Sequence, residues 1–195
     1  MNIEKTLEFL NNGKILYFTW LKGLNWIKRL GLSLLFALLT GIFAQIRIPL
    51  GFTPVPVTGQ VFVVLLSGVL LGGFYAGMSM VFYLTLGAIG VPLFAGFRAG
   101  LNFGPTLGYL LGFIPAAIFV GIFAHKQKRL FKQILIMLIG IFLIYLVGAF
   151  NFAVLMKTNF YTTLKLAVLP FIPFDIAKAI IAGFLSRLII PDDRI

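Results

Sequence analysis

Two ionisable side chains, Asp175 and Lys178, lie three positions apart in a largely apolar segment. On a helix this spacing places both groups on the same face, one turn apart. A carboxylate accepts hydrogen bonds and an ammonium donates them, so the pair can hold a polar ligand. The alternative is an ion pair that only neutralises two buried charges, and the residues alone leave both interpretations open.

Arg98 and Asn102 form a second polar group. Arg98 lies in the glycine-rich segment 94–100, and Asn102 comes shortly before the predicted start of a helix at residue 105. The free N–H groups at a helix start attract anions, so Arg98 and Asn102 together suit a carboxylate. The alternative for Arg98 is an apolar stem that covers hydrophobic surface while the charge stays in water.

Three further side chains are candidates for the same site, namely Gln60 at a predicted helix start and the aromatic residues Phe94 and Tyr109 as apolar walls. Each aromatic residue taken alone is equally compatible with ordinary packing. No catalytic site, cofactor or metal site is predicted. The chain has no cysteine and one histidine, and it lacks a Walker A sequence, paired carboxylates and a serine-nucleophile motif.

The composition excludes an ordinary soluble domain. Of 195 residues, 61% are hydrophobic and 11% are charged, and the mean hydropathy is +1.07. Soluble domains are about 45–50% apolar and about 25% charged. A net charge of +11 in a soluble protein would suggest nucleic acid as a partner, whereas here it is expected to mark the ends of membrane spans.

The apolar runs predict an all-α, polytopic membrane protein with six transmembrane helices. A span needs about 17–25 apolar residues, and positions 48–97 carry no charge at all. Prolines and a glycine interrupt this stretch at 49–56, and Gly72 and Gly73 suggest a tight helical hairpin. The predicted spans are 31–46, 58–72, 74–91, 105–124, 133–156 and 172–190.

The Lys and Arg distribution predicts that both termini are cytoplasmic. With that orientation the inner segments hold eleven cations and the outer loops hold four, with Lys178 inside the sixth span. Arg98, Asn102 and Asp175 then all fall at the outer end with Lys178. This convergence favours one outward-facing pocket.

Two other segments carry weaker signals. Residues 1–30 have apolar positions at helical spacing with interspersed lysines, which predicts an amphipathic interfacial segment before the membrane domain 31–195. Ser33, Ala37 and Gly41 form a strip of small residues at intervals of four. Such a strip lets another helix approach closely, either within the chain or from a separate membrane subunit.

Four ordered motifs resemble those of the BioY family, the biotin-specific S components of energy-coupling factor (ECF) transporters. They read AQIRIPL and TPVPVTGQ within 44–60, YLTLGAIGVPLFAG at 83–96, GPTLGYLLGF at 104–113 and PFDIAKA at 173–179. The last motif contains the Asp-x-x-Lys pattern of that family. The resemblance covers residues 31–190.

The resemblance implies a six-helix S-component fold in a prokaryotic cell membrane, with one biotin pocket near the outer surface. It implies a transmembrane coupling (T) subunit and two ATP-binding subunits as partners, with Ser33, Ala37 and Gly41 at the coupling contact. Asp175 and Lys178 would then bind the ureido group of biotin. Arg98 and Asn102 would bind its carboxylate.

Three alternatives remain open at this point. The chain could bind a different vitamin as its S component. It could be an intramembrane enzyme that modifies a lipid, although neither paired acids nor a nucleophile with a base is found. It could also be a structural or channel subunit, which would bind no ligand saturably.

Overall fold

A computed structural model describes residues 19–21, 23–100, 104–125, 127 and 129–189, with the backbone alone at 188 and 189. The elements are α1 (Trp26–Ala44), β1 (Arg47–Ile48), β2 (Val57–Thr58), α2 (Gln60–Leu71), α3 (Gly73–Ala88), α4 (Leu107–Phe123), α5 (Leu130–Met156), α6 (Phe160–Ala167) and α7 (Ile172–Ile189). The predictions for 1–18, Asn102 and 190–195 lie outside the described residues.

The helical membrane architecture is confirmed, with six apolar helices of 12 to 27 residues and the shorter helix α6 in the described ranges. By length and composition, α1 and α5 can each cross a bilayer, and α6 and α7 pass the same test together although they are bent by 50° at their junction. The apolar helices α2, α3 and α4 have 12, 16 and 17 residues. They are therefore shorter than the roughly 20 residues of a typical span.

Two differences from the predicted helices exceed three residues. α1 begins at Trp26 and not at residue 31, because the Asn25 side chain caps the helix by accepting a hydrogen bond from the Lys28 N–H at 3.0 Å. The short helix α6 was not predicted, because its eight residues include two threonines and a lysine and resemble a loop in composition. It too has an asparagine cap, Asn159, which accepts a hydrogen bond from the Thr162 N–H.

The core is organised around α2, the most deeply buried helix. Ten of its twelve residues are buried, and it packs against α1, α3, α4 and α7. α5 packs along α4 and also contacts α6 and α7. A helix that is apolar on all sides is expected at such a central position.

The strip of small residues on α1 packs inside the chain, which corrects its assignment to a partner subunit. Ser33 and Ala37 are fully buried, and the Ser33 hydroxyl donates to the Tyr75 carbonyl oxygen of α3 at 2.8 Å. Gly41 is buried as well, and a Cβ there would overlap the Leu93 side chain. The spacing shows that the three small residues share one face of the helix, but it does not show what this face contacts. In the structure it contacts α3 and the segment that follows α3.

The opposite side of α1 is exposed and apolar. Four large side chains form this outward face of α1, which is the surface available to lipid or to another protein: Leu34, Leu35, Leu38 and Ile42.

A tight turn joins α2 to α3 where Gly121 of α4 approaches its backbone. Gly72 has φ = 78°, which favours glycine. A Cβ on Gly121 would lie 2.5 Å from the Gly73 Cα and 2.5 Å from the Gly72 carbonyl carbon. Only glycine therefore allows α4 to pack directly on this turn.

Near the same end, a buried glutamine links α5 to its neighbours. Gln133 is 1% exposed, and its Nε2 donates to the Ala124 carbonyl oxygen at 3.4 Å. Its Oε1 accepts from the Ser186 hydroxyl of α7 at 2.8 Å. This pairing satisfies polar groups that would otherwise be buried without partners.

Candidate ligand-binding site

A cavity of about 660 Å³ lies at the end of the bundle where α1 and α3 finish and α2, α4 and α7 begin, which we call the site end. Pockets for small ligands usually measure about 300–1,000 Å³ and combine apolar walls with a few polar groups. Most of this wall is apolar. Its polar and aromatic lining includes Arg47, Gln60, Phe94, Arg98, Tyr109, Tyr145, Phe171, Asp175 and Lys178.

Asp175 sits in the first turn of α7 and is held by two donors. Lys178 Nζ lies 2.6 Å from Asp175 Oδ1, and the Tyr145 hydroxyl of α5 donates to Asp175 Oδ2 at 2.6 Å. Asp175 is only 3% exposed. Each carboxylate oxygen can accept about two hydrogen bonds, and an ammonium can donate three. The pair therefore keeps both an acceptor and donors for a ligand.

Gln60 lines the cavity but is already engaged within the chain. Its Oε1 accepts from the Thr58 hydroxyl at 2.8 Å, and its Nε2 donates to the Tyr83 hydroxyl. The amide has two N–H groups, so one N–H remains for a ligand. The antiparallel pairing of β1 with β2 fixes this start of α2, because Arg47 pairs with Thr58.

The aromatic walls are fixed by contacts behind them. The Phe94 ring packs edge-to-face on Tyr83, with ring centroids 5.5 Å apart. The Tyr109 hydroxyl donates to the Ala167 carbonyl oxygen, and its ring packs edge-to-face on Phe171. Both rings therefore present a fixed apolar surface to the cavity.

Two arginines lie at the cavity, and both are exposed. Arg47 belongs to β1, and Arg98 closes a tight loop in which its backbone pairs with that of Phe94. Neither arginine forms a salt bridge with another described residue. Guanidinium groups without an acidic partner suit a carboxylate, which they bind in a two-pronged geometry.

The structure thus brings six of the seven predicted ligand-binding residues to one cavity wall: Gln60, Phe94, Arg98, Tyr109, Asp175 and Lys178. Asn102 lies outside the described residues. Their contact with a ligand stays a prediction, because a shared cavity wall gives their position and not their role.

Sequence reasoning missed Tyr145 and Arg47. Tyr145 lies in the middle of a long apolar span, where the only available signal was a hydroxyl in hydrocarbon surroundings that must find a partner. Arg47 was counted as a topology signal and not as part of the pocket. Among the described residues, no three His, Cys, Asp or Glu side chains are grouped as a metal site would require.

Comparison with known proteins gives one consistent result. The family model described as "BioY family" matches residues 14–192. The chain is 38% identical over 159 residues to "Biotin transporter BioY" of Thermotoga maritima, covering 78% of this chain and 89% of that protein. It is 41% identical over 162 residues to "Probable biotin transporter BioY" of Pyrococcus horikoshii, covering 82% and 94%.

A solved structure agrees with these relatives. The crystal structure of the S-component for biotin from an ECF-type ABC transporter is 29% identical in sequence, with a TM-score of 0.76. The alignment covers 83% of this chain and 89% of that chain. By sequence over nearly its whole length, and by fold, the chain belongs to the BioY family.

Proposed function

We propose that this chain is the biotin-binding S component of an ECF-type vitamin uptake transporter. The observation that carries the proposal is the Asp175–Lys178 pair in the wall of a mainly apolar cavity of about 660 Å³. The names of its relatives and of the similar solved structure support biotin as the ligand. Such a family makes the chain a transport component and not an enzyme.

The chemistry of the ureido ring of biotin matches the deep end of the cavity. This ring carries two N–H donors and one carbonyl acceptor. Asp175 accepts from a ureido N–H with the lone pairs left by Lys178 and Tyr145. Lys178 neutralises Asp175 and donates one of its remaining N–H groups to the ureido carbonyl or a neighbouring oxygen.

The valeric tail of biotin ends in a carboxylate, and we expect Arg98 and Asn102 to bind this carboxylate. The Phe94 and Tyr109 rings bury the apolar parts of the ligand, and Gln60 offers its free N–H. This division into apolar walls and a few polar anchors is typical of small-ligand sites.

The transporter context is also part of the proposal. The chain contains no Walker A sequence for ATP hydrolysis, so we expect the energy for transport to come from other subunits. We assign this role to two ATP-binding subunits connected through a transmembrane coupling (T) subunit. We expect the protein in the cell membrane of a prokaryote, with both termini in the cytoplasm and with the site end outside.

Binding of labelled biotin to the detergent-purified protein tests the proposal. We expect saturable binding, and we expect Asp175→Asn or Lys178→Ala to weaken it at least about tenfold. The reason is that an unpaired buried polar group costs about 1–3 kcal/mol, and more when it is charged. Lys165→Ala is the matched control, because this lysine is exposed on α6 and does not line the cavity.

The outcomes separate the alternatives. Unchanged affinity in folded Asp175→Asn and Lys178→Ala proteins would remove both residues from the site. Tighter binding of another vitamin in the same titration would make the chain an S component for that vitamin. Turnover of a lipid without accessory subunits would indicate the enzyme, and absence of saturable binding to any vitamin would indicate a structural or channel subunit.

A further inference from the structure

Gln45, the residue that ends α1, reaches across to the segment that follows α3. Its Nε2 lies 3.2 Å from the Phe94 carbonyl oxygen and 3.4 Å from the Leu93 carbonyl oxygen. The same nitrogen donates to the Gly41 carbonyl oxygen of its own helix at 3.0 Å. One carboxamide thus ties the last turn of α1 to the entrance of the loop 94–98.

The other atom of the same carboxamide holds the tip of this loop. Gln45 Oε1 accepts from the Gly96 N–H at 3.1 Å and from the Phe97 N–H at 2.9 Å. Gly96 and Phe97 have φ values of 76° and 56°. A left-handed conformation is unfavourable for a residue other than glycine, so Phe97 needs a compensating contact. Its ring is 72% exposed and does not provide one.

The loop carries two of the candidate ligand-binding residues. Phe94 and Arg98 exchange backbone hydrogen bonds at 3.0 Å and 3.2 Å, which closes the loop and places both residues at the cavity. Phe94 is anchored by its ring, which lies edge-to-face on Tyr83. Arg98 has no such anchor among the described residues, so the backbone of the loop determines where its side chain begins and which part of the cavity it can reach.

We propose that Gln45 is a positioning residue that sets the loop 94–98 and thereby holds Arg98 at the anionic end of the ligand. The inference rests on the proposed function, in which Arg98 meets the carboxylate of biotin. A carboxamide suits this point, because the loop presents both carbonyl oxygens and N–H groups to one side chain. A carboxylate lacks the N–H donors, and a hydrocarbon lacks both donor and acceptor.

A double-mutant cycle tests the link between the two residues. The probes are biotin and its neutral carboxamide analogue biotinamide, titrated against the wild type, Gln45→Ala, Arg98→Ala and the double variant. We expect Gln45→Ala to weaken biotin binding about tenfold, which corresponds to about 1.4 kcal/mol, because the loop loses the hydrogen bonds that hold it. The same change should weaken binding less than about twofold when Arg98 is already absent, because coupled residues are not additive.

Binding of the neutral ligand also tests whether Gln45 acts through Arg98. Biotinamide lacks the negative charge, so Gln45→Ala should change its affinity less than about twofold. The matched control is Gln133→Ala, which removes the other glutamine that bridges elements of the bundle, at the end opposite the cavity. This control should lower the melting temperature and leave the ratio of biotin affinity to biotinamide affinity unchanged.

Several results would overturn the inference. These are wild-type biotin affinity in Gln45→Ala, additive losses in the double variant, or equal losses for biotin and biotinamide. Where Gln45→Ala does not fold, the neutral Gln45→Met variant, whose side chain is of similar length, replaces it in the same cycle. It is expected to lose affinity in the same way, because a thioether has no N–H donors and is only a weak acceptor.

Hydrogen exchange on the ligand-free protein separates this inference from the proposed function. The amides of Gly96 and Phe97 should exchange at least about tenfold faster in Gln45→Ala than in the wild type, and at the wild-type rate in Gln133→Ala. If the wild type binds no biotin, the proposed function fails and the exchange rates still decide whether Gln45 holds the loop. Unchanged exchange in Gln45→Ala would refute it.

Discussion

Asp175 is the one acidic side chain in the described part of the chain, and its two donors come from different helices. Lys178 lies one turn further along α7, whereas Tyr145 reaches from α5. A charge in a membrane interior costs at least about 2.5–3.5 kcal/mol unless partners offset it. The two contacts offset this cost and also fix the direction of the carboxylate, because each oxygen has its own donor.

Removing the Tyr145 hydroxyl tests whether orientation matters as much as charge. Tyr145→Phe leaves the ion pair intact but frees Asp175 Oδ2, and we expect biotin binding to weaken about three- to tenfold. Hydrogen bonds to charged groups contribute about 1.5–3 kcal/mol, and a ligand N–H that donates to the freed Oδ2 would recover part of this stabilisation. Tyr161→Phe is the control, since Tyr161 is 73% exposed on α6. Equal affinity of the two variants in a titration would show that Lys178 alone orients the carboxylate.

The helix α4 is held against its neighbours by backbone contact at Gly121, far from the cavity. Because the atoms that a Cβ would meet belong to the backbone of the turn at Gly72 and Gly73, they cannot move aside as a flexible side chain would. The helix therefore has to shift when this glycine is replaced. Small residues at such positions are a general means of close helix packing in membranes.

Gly121→Ala should therefore lower the melting temperature of the detergent-purified protein by several degrees, in line with overpacking costs of about 1–3 kcal/mol. Biotin affinity of the folded fraction should stay within about twofold of the wild type. Gly31→Ala is the matched control on α1, because a Cβ at this exposed glycine meets nothing within 4 Å. It should keep or raise the melting temperature. A normal melting temperature for Gly121→Ala would mean that α4 can move without cost.

The two ends of the whole molecule differ in their number of cations. The site end carries Arg47, Arg98, Lys157 and Lys165. The described residues of the opposite end include Lys28, Arg29, Arg129, Lys132 and Arg187, and the sequence places further lysines beside them. Since cytoplasmic loops are enriched in Lys and Arg, the site end is expected outside.

Labelling of single cysteines can test this orientation directly, because the chain has none of its own. Lys157 and Arg129 are exposed at opposite ends of α5. In intact cells we expect Lys157→Cys to react with a membrane-impermeant maleimide and Arg129→Cys to react only after the membrane is opened. The reverse pattern would place the site end in the cytoplasm and would contradict the proposed direction of uptake.

Sequence alone predicted every described helix of this fold except α6, because each of the other six is an apolar run ended by glycine, proline or charge. The Asp175–Lys178 pair was also predictable, since its spacing on one helix fixes its geometry. What sequence could not give was the face that each helix turns to its neighbours. For this reason the strip Ser33, Ala37 and Gly41 was assigned to a partner although it packs on α3, and Tyr145 was missed although it touches Asp175.

Through its hydrogen bonds, Gln45 connects the end of α1 to the loop 94–98 in the cavity wall, so a movement of one is expected to move the other. On its outward face α1 exposes Leu34, Leu35, Leu38 and Ile42 to lipid or to a neighbouring membrane protein. If a neighbouring protein binds better to one tilt of α1, its binding changes the position of the loop 94–98 through Gln45 and so changes the affinity of the pocket for its ligand. Thermodynamic reciprocity then requires that a bound ligand changes the affinity for that neighbour by the same factor.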